Sequence, residues 1–422
     1  MFNIGDAWVF LDEIHVDRET HLQIAAMAVH PTVAHVRVMP DAHKGNGCCV
    51  GFTCRLTSSV LPGLIGGDIG CGVAIHPLPA PALAKKRSLA KLDRHIHACV
   101  PMGNGYNRIH ARPVIQPEQL APFFDAAQAE AMAFVAAFAK SFGVDLAAHV
   151  PTYGEAYLRA LCARVGSNYE SDLRALGSLG GGNHFIEVNE CTATGQAYVA
   201  VHTGSRRLGQ LIARYHHSVA EGSGEAAQHA ANDDDDVTGV QASSRALSGP
   251  AAAAYFFDMI WAQTYAHVNR RAILSLVLAN QYAPAQVIES THNYIDFRDL
   301  VVRKGAIRCH ANDLCVVALN MRDGILLCRG RGNDDWNWSG PHGCGRLRGR
   351  KRAGQRGSRD DVAASMRGFA KEMDGVYSSC IVPETLDERP SAYRDAELIR
   401  AALAPTATVV AHLKTVLNVK GH

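Results

Sequence analysis

The stretch Gly66-Gly67-Asp68-Ile69-Gly70-Cys71-Gly72 decides how the rest of the chain is read. Glycine at that density suits positive φ or close approach of the backbone to a ligand, at a cost in conformational entropy. Among the glycines stand one carboxylate and one thiol, three residues apart. Asp offers a hard oxygen and Cys, once deprotonated, a soft sulfur able to bridge two metals, so the turn can hold a cation. The same residues also suit a plain glycine turn with an N-capping Asp and a buried Cys. An apolar, strand-like lead-in from Leu61 to Ile65 precedes the turn, and Val73 to Ile75 resumes strand character beyond it.

A chain of 422 residues suits one large domain or two smaller ones. With 47% hydrophobic and 19% charged residues it can bury a sizeable core and is not broadly disordered. The net charge of +2 does not announce a nucleic-acid binder, but the charge is uneven. Arg346-Leu347-Arg348-Gly349-Arg350-Lys351-Arg352 is a basic run suited to phosphates, and Asp233 to Asp236 reads as a solvated acidic loop. The 12 cysteines are scattered, often in apolar runs, and do not form a disulfide framework. The first residues lack the basic and apolar regions of a secretory leader, and no apolar run reaches membrane-spanning length. A reduced, cytoplasmic, soluble protein is expected, with cysteines as free thiols or ligands.

Upstream of the glycine turn, Asp17 to Val29 is helix-like and Val33 to Met39 alternates like a strand. It leads into Met39-Pro40-Asp41-Ala42-His43, where Asp and His can pair or Asp can simply cap a turn. Cys48 to Arg55 reads as a second strand. Between about 80 and 170, Ala-rich segments with helical periodicity point to a helical insertion packed on the sheet.

Chemistry returns at Gly180-Gly181-Gly182-Asn183-His184-Phe185-Ile186-Glu187, a Gly-rich loop entering a strand. There the backbone can approach a phosphate, and His184 is either a ligand or a satisfied, partly buried residue. His202-Thr203-Gly204-Ser205-Arg206 ends another short strand and starts a helix, which suits an anion. Ala251 to Leu278 is read as a long amphipathic helix, followed by a strand-like Ala285 to Ile288 and by His292-Asn293-Tyr294. Short strands are expected at about 314–319 and 325–328, and His342 lies among glycines ahead of the basic run. The chain closes with Ala363 to Met373 as helix, Ala392-Tyr393-Arg394-Asp395, and a C-terminal helix.

His184, His202, His292 and His342 each sit beside a turn or strand end, far apart in sequence, so they do not form a small zinc module. With Asp68 and Cys71 they suit borderline divalent ions such as manganese or zinc better than magnesium or calcium. Metal ligands beside phosphate-cradling loops imply phosphoryl or nucleotidyl transfer.

These segments, together with Arg303-Lys304-Gly305-Ala306, His342-Gly343-Cys344-Gly345-Arg346 and Val419-Lys420-Gly421, resemble RtcB-type tRNA-splicing RNA ligases. They occur in family order almost from end to end. The resemblance implies a single α+β domain over residues 1–422, with the metal centre built from strand ends and Gly-rich loops. The chain has no P-loop or Rossmann fingerprint, in keeping with that. The resemblance further implies joining of an RNA 3′-phosphate or 2′,3′-cyclic phosphate to a 5′-hydroxyl, in RNA repair or tRNA splicing, with GTP and two manganese ions.

Residue by residue, Cys71 would bridge two metals, Asp68 and His184 completing one site and His202 and His292 the other. His342 would take GMP as a phosphoramidate, oriented by Asp41. Asn183 would contact phosphate, Glu187, Tyr393 and Lys420 would line the guanine pocket, and Arg346 would join the nucleotide contacts. An archease-like activator is a further expected partner. The chain departs from the family at Leu319-Asn320-Met321-Arg322, where a Gly-Ser-Met-Gly loop is usual, and at Pro341, Cys344 and Gly349-Arg350. Two other readings stand beside the ligase: a metal-dependent cyclic phosphodiesterase, and a degenerate RNA- or metal-binding relative.

Overall fold

The computed structural model describes residues 1–78, 86–103, 108–222, 245–347 and 359–421. The acidic run at Asp233–Asp236 and most of the basic run lie outside the described residues. The strands are β1 (Phe2–Ile4), β2 (Ala7–Val9), β3 (Ala34–His43), β4 (Val50–Arg55), β5 (Gly72–Pro77), β6 (Phe185–Cys191), β7 (Ala197–Thr203) and β8 (Ile288–Thr291). Then follow β9 (Asn293–Asp296), β10 (Val301–Lys304), β11 (Ala306–Arg308), β12 (Leu314–Ala318), β13 (Ile325–Gly330), β14 (Ser339–Pro341) and β15 (Ala407–Lys420). The first seven helices are α1 (Arg18–Ala28), α2 (Lys86–Cys99), α3 (Ala121–Phe142), α4 (Glu155–Val165), α5 (Tyr169–Ala175), α6 (Arg206–Glu221) and α7 (Gly249–Leu278). The result is a mixed α+β fold.

Among the described residues, one sheet runs β1-β2-β3-β4-β10-β9, a second runs β12-β13-β15-β6-β7-β5-β8, and β11 pairs with β14. The second sheet curls until its edges meet, with the Val316 N–H on β12 donating to Ser290 Oγ on β8 at 2.9 Å. Period-2 alternation sorts its two faces. Ile186 and Val188 of β6 join the core beneath α2 and α7, whereas Phe185 and Cys191 point into the curl with Val73, Ile75, Val316 and Leu413. Glu187 and Asn189 share the face of Phe185 and Cys191.

Helices α2 to α5 fill the region expected for a helical insertion. They reach the sheet largely through α7, against which α3 packs Phe124 and Phe134 onto Trp261 and Phe256. Helix α7 is therefore not amphipathic: Tyr255, Phe256, Phe257, Trp261 and Tyr265 are all buried, as in a helix covered on every side. No helix of the described residues is long and apolar enough to cross a membrane. None of the twelve cysteines is bridged.

Some elements differ from their reading in the sequence. The lead-in to the glycine turn is a 3-10 turn over Pro62–Leu64, because Pro62 lacks a ladder donor and sets a helical φ. Ala285 falls in another such turn, Pro284–Gln286, with the strand beginning at Ile288. Met39-Pro40-Asp41-Ala42-His43 continues β3 through a register irregularity, so Asp41 sits within a strand instead of capping a turn. At the C-terminus a short helix, Ala396–Ala402, gives way to β15, whose fourteen residues alternate and are rich in Val and Thr.

Candidate metal centre and nucleotide pocket

The glycine turn is fixed from three directions. Gly70 N–H donates to the Asn293 carbonyl at 2.7 Å, and Asn293 Nδ2 donates to the Asp68 carbonyl at 2.6 Å. Arg270 of α7, fully buried, donates to the carbonyls of Gly70 and Thr203 at 2.6 and 2.7 Å and pairs with Glu289. One guanidinium thus joins the turn, the end of β7 and β8. Glycine is needed where α7 crosses: Gly70 has φ +72°, and a Cβ there would lie 2.8 Å from the Ala266 side chain. At Gly204 a Cβ would strike Asp68 Oδ1, so that glycine leaves room for the carboxylate.

Asp68, Cys71, His184, His202 and His292 converge. Each of two sets, Cys71–His202–His292 and Asp68–Cys71–His184, has its donor atoms within 4.8 Å of one another, and Cys71 belongs to both. Its Sγ lies 3.2 Å from His202 Nε2 and 3.6 Å from His184 Nε2. His184 Nε2 lies 3.1 Å from Asp68 Oδ2.

The outer edges of two rings face backbone carbonyls. His184 Nδ1 faces the Leu179 carbonyl at 3.0 Å and His202 Nδ1 faces the Asn183 carbonyl at 3.1 Å. A carbonyl only accepts, so His202 Nδ1 carries the proton and its Nε2 presents a lone pair to the centre, the arrangement metal-bound histidines adopt, whereas His184 has an acceptor at each edge, its Nε2 also facing Asp68 Oδ2. His202 Nε2 and His292 Nε2 stand 2.9 Å apart, where a proton or a cation must lie between lone pairs.

Burial, reinforced by neighbouring imidazoles, pushes His202 and His292 well below the usual histidine range and keeps both neutral at pH 7. Burial disfavours the Asp68 carboxylate, but His184 and Cys71 outweigh it and hold the group below the usual carboxylate range. The donor set (one carboxylate, one shared sulfur, neutral imidazoles) therefore fits borderline divalent cations.

Beside this cluster stands His342, its ring centroid 4.6 Å from that of His292. Asp41, fully buried, accepts at Oδ2 from His342 Nδ1 at 2.6 Å and from the backbone N–H groups of His342 and Gly343 at 3.0 and 3.2 Å. Nδ1 thus keeps its proton and Nε2 is left as the nucleophilic edge. Gly345, at φ +69°, lets the turn pass Asp41, since a Cβ there would collide with the Asp41 carbonyl. His43, pushed down to about 4 by burial, stays neutral next to the pair.

The nucleotide candidates divide. Asn183 contributes its carbonyl to His202. Glu187 lies in the curl, where Asn418 and Asn189 donate to its oxygens at 2.7 and 3.1 Å, and burial pushes its carboxyl up to about 7. Arg346, Tyr393 and Lys420 gather on Glu388, a residue that drew no notice in the sequence. The one signal for it is physical: a buried Arg and a buried Lys brought together require a counter-charge.

Arg346 thus turns inward, onto Glu388. The divergent loop at 319–322 is a closed turn. Asn320 Oδ1 accepts from the backbone N–H groups of Arg322 and Asp323 at 3.0 and 2.9 Å, and Arg322 pairs with Asp323. The loop borders the nucleophile candidate, because Ala318 N–H donates to the His342 carbonyl at 2.9 Å.

A family model described as tRNA-splicing ligase RtcB matches residues 23–421. RNA-splicing ligase RtcB of Escherichia coli K12 is 27% identical over 97% of this chain and 95% of its own length. RNA-splicing ligase RtcB1 of Escherichia coli ATCC 25922 matches at the same identity and coverage, 27% over 97% and 95%. tRNA-splicing ligase RtcB of Methanococcus maripaludis is 27% identical over 48% of this chain and 45% of its own.

Proposed function

The chain belongs to the RtcB family, and on that premise we propose a GTP- and manganese-dependent ligase that joins RNA 3′-phosphate or 2′,3′-cyclic phosphate ends to 5′-hydroxyl ends. The observation that carries this reading is the Asp41–His342 pair set directly against the His/Cys cluster. A purely structural metal site has no use for an imidazole whose second nitrogen is held by a buried carboxylate.

His342 Nε2 attacks the α-phosphorus of GTP, an N–P bond forms, and pyrophosphate leaves. Asp41 keeps the Nδ1 proton in place and offsets the positive charge that develops on the ring. The GMP then passes to the RNA 3′-phosphate as the N–P bond breaks. Attack by the 5′-hydroxyl on that activated phosphate forms the new diester and releases GMP. A cyclic end is first opened by water to the 3′-phosphate.

Asp68, Cys71 and His184 would hold one manganese and Cys71, His202 and His292 a second, neutralising phosphate charge that would otherwise repel nucleophile and substrate. Asn183 binds phosphate, while Glu187, Tyr393, Lys420 and Arg346 form the guanine pocket. RNA repair or tRNA splicing in the cytoplasm, with an archease-like activator, completes the reading.

The closed turn at 319–322 favours one alternative, a cyclic phosphodiesterase that no longer ligates, since Asn320 and Arg322 are engaged within the turn. Incubation with manganese and α-labelled GTP separates the two. A covalent label that His342→Ala abolishes, with joining of cyclic-phosphate and 5′-hydroxyl RNA, is the expected result. Wild-type protein that takes no label while opening cyclic ends would establish the phosphodiesterase instead.

A further inference from the structure

The proposed guanine pocket has a centre that none of its assigned members supplies. Glu388 ends a 3-10 turn, Pro383–Glu388, and is 2% exposed. Its Oε1 accepts from the Arg346 guanidinium, which also donates to the Asp387 carbonyl at 2.9 Å. Its Oε2 accepts from Tyr393 Oη and from Lys420 Nζ, both at 2.7 Å. The same three groups are layered on rings: Arg346 stands over the Tyr393 ring at 5.1 Å, and Lys420 Nζ over the Phe185 ring at 5.8 Å. The backbone repeats the connection, with an isolated bridge between Arg346 and Tyr393 and the register pair Lys420–Phe185 on β15 and β6.

This arrangement places one carboxylate between two buried cations. Arg346 and Lys420 are 8% and 3% exposed, so water does little to screen their mutual repulsion. Without a negative charge between them, ammonium and guanidinium could not share the site, and the tyrosine hydroxyl would lose its acceptor. The cluster is also tied to the reacting groups. Arg346 lies four residues beyond His342, and Lys420 pairs with the residue that follows His184.

We propose that Glu388 is the positioning residue of the purine-nucleotide pocket, holding Arg346, Tyr393 and Lys420 in the geometry that receives the base. The proposal rests on the GTP-dependent ligase reading and adds to it a residue and a role. Glu388 itself is not a catalytic residue: it acts through the three groups it holds.

The test uses full-length protein loaded with manganese and the isosteric change Glu388→Gln, with Glu388→Ala beside it. Formation of the covalent GMP adduct is followed against GTP concentration, and bound manganese is measured on the same samples. The KM for GTP is expected to rise about tenfold or more in Glu388→Gln, by more than kcat falls, with manganese content unchanged. Glu388→Ala should raise it at least as far. An unchanged KM in both variants would overturn the proposal. Loss of manganese in step with loss of GTP binding would also overturn it, because Glu388 would then be holding the fold. Wild-type protein that forms no adduct would fail differently, removing the nucleotide reading and this proposal with it.

Discussion

Helix α7 serves two buried polar clusters, and they are built on opposite principles. Around Asp258, every charge meets its complement: Arg164 donates to Oδ1 and Oδ2 at 2.6 and 2.7 Å, His216 lies 2.7 Å from Oδ2, and Tyr157 donates to Oδ1 at 2.8 Å. Around Cys71, like faces like, with two imidazole nitrogens 2.9 Å apart and a sulfur 3.2 Å from one of them. Both clusters contain buried histidine, so burial alone does not mark a site. The difference lies in whether protein atoms complete one another. In the first cluster they do, and the role is cohesion; in the second, a cation would complete them.

The comparison breaks most easily at His292. His292→Ala should remove one of the two ligand sets and lower RNA joining at least about a thousandfold, on the order of 4 kcal/mol of transition-state stabilisation. Added manganese should raise the thermal midpoint of wild-type protein more than that of the variant. Equal activity and equal metal-induced shifts would show that His292 is not a ligand.

Asp258→Ala should do the reverse. It leaves the buried His216 without its acceptor and the part-exposed Arg164 without its partner, and denaturant titration should show a loss of about 2–3 kcal/mol, with manganese content per folded chain unchanged. A loss below about 1 kcal/mol would deny the cohesive role.

A third buried group gives a smaller, pH-dependent effect. Asp172 has only neutral side-chain donors, Ser167 Oγ at 2.6 Å and Cys162 Sγ at 3.4 Å, and burial pushes its carboxyl up to about 6. A carboxyl raised in the folded state binds its proton more tightly there. Its contribution is therefore fully present below the unfolded value near 4 and lost as pH rises through about 6. Asp172→Asn should gain stability relative to wild type across that window, up to roughly 2–3 kcal/mol, and then level off. A difference independent of pH would contradict this.

How legible these features were in the sequence depended on whether the signal was local. The residues now seen at the Cys71 cluster and at His342 stood out because glycine and histidine at strand ends are conspicuous side by side. Helices α2, α3 and α4 followed from their periodicity. Glu388 had no such mark, since its partners Arg346 and Lys420 come from distant segments that only the fold joins. The strand β15 was hidden behind the helix Ala396–Ala402, although its alternation of Val, Leu and Thr was present to be read. The lead-in at Leu61–Ile65 was apolar enough for a strand, yet Pro62 imposed a turn. The apparent amphipathicity of α7 could not be judged without knowing that the 80–170 helices would cover its other side.

The central claim is that the Cys71 sulfur is common to both ligand sets, and metal content tests it most directly. Elemental analysis of protein dialysed after manganese loading should find two ions per chain in the wild type and essentially none in Cys71→Ala, with the variant still folded by circular dichroism. Two ions retained by folded Cys71→Ala would contradict it.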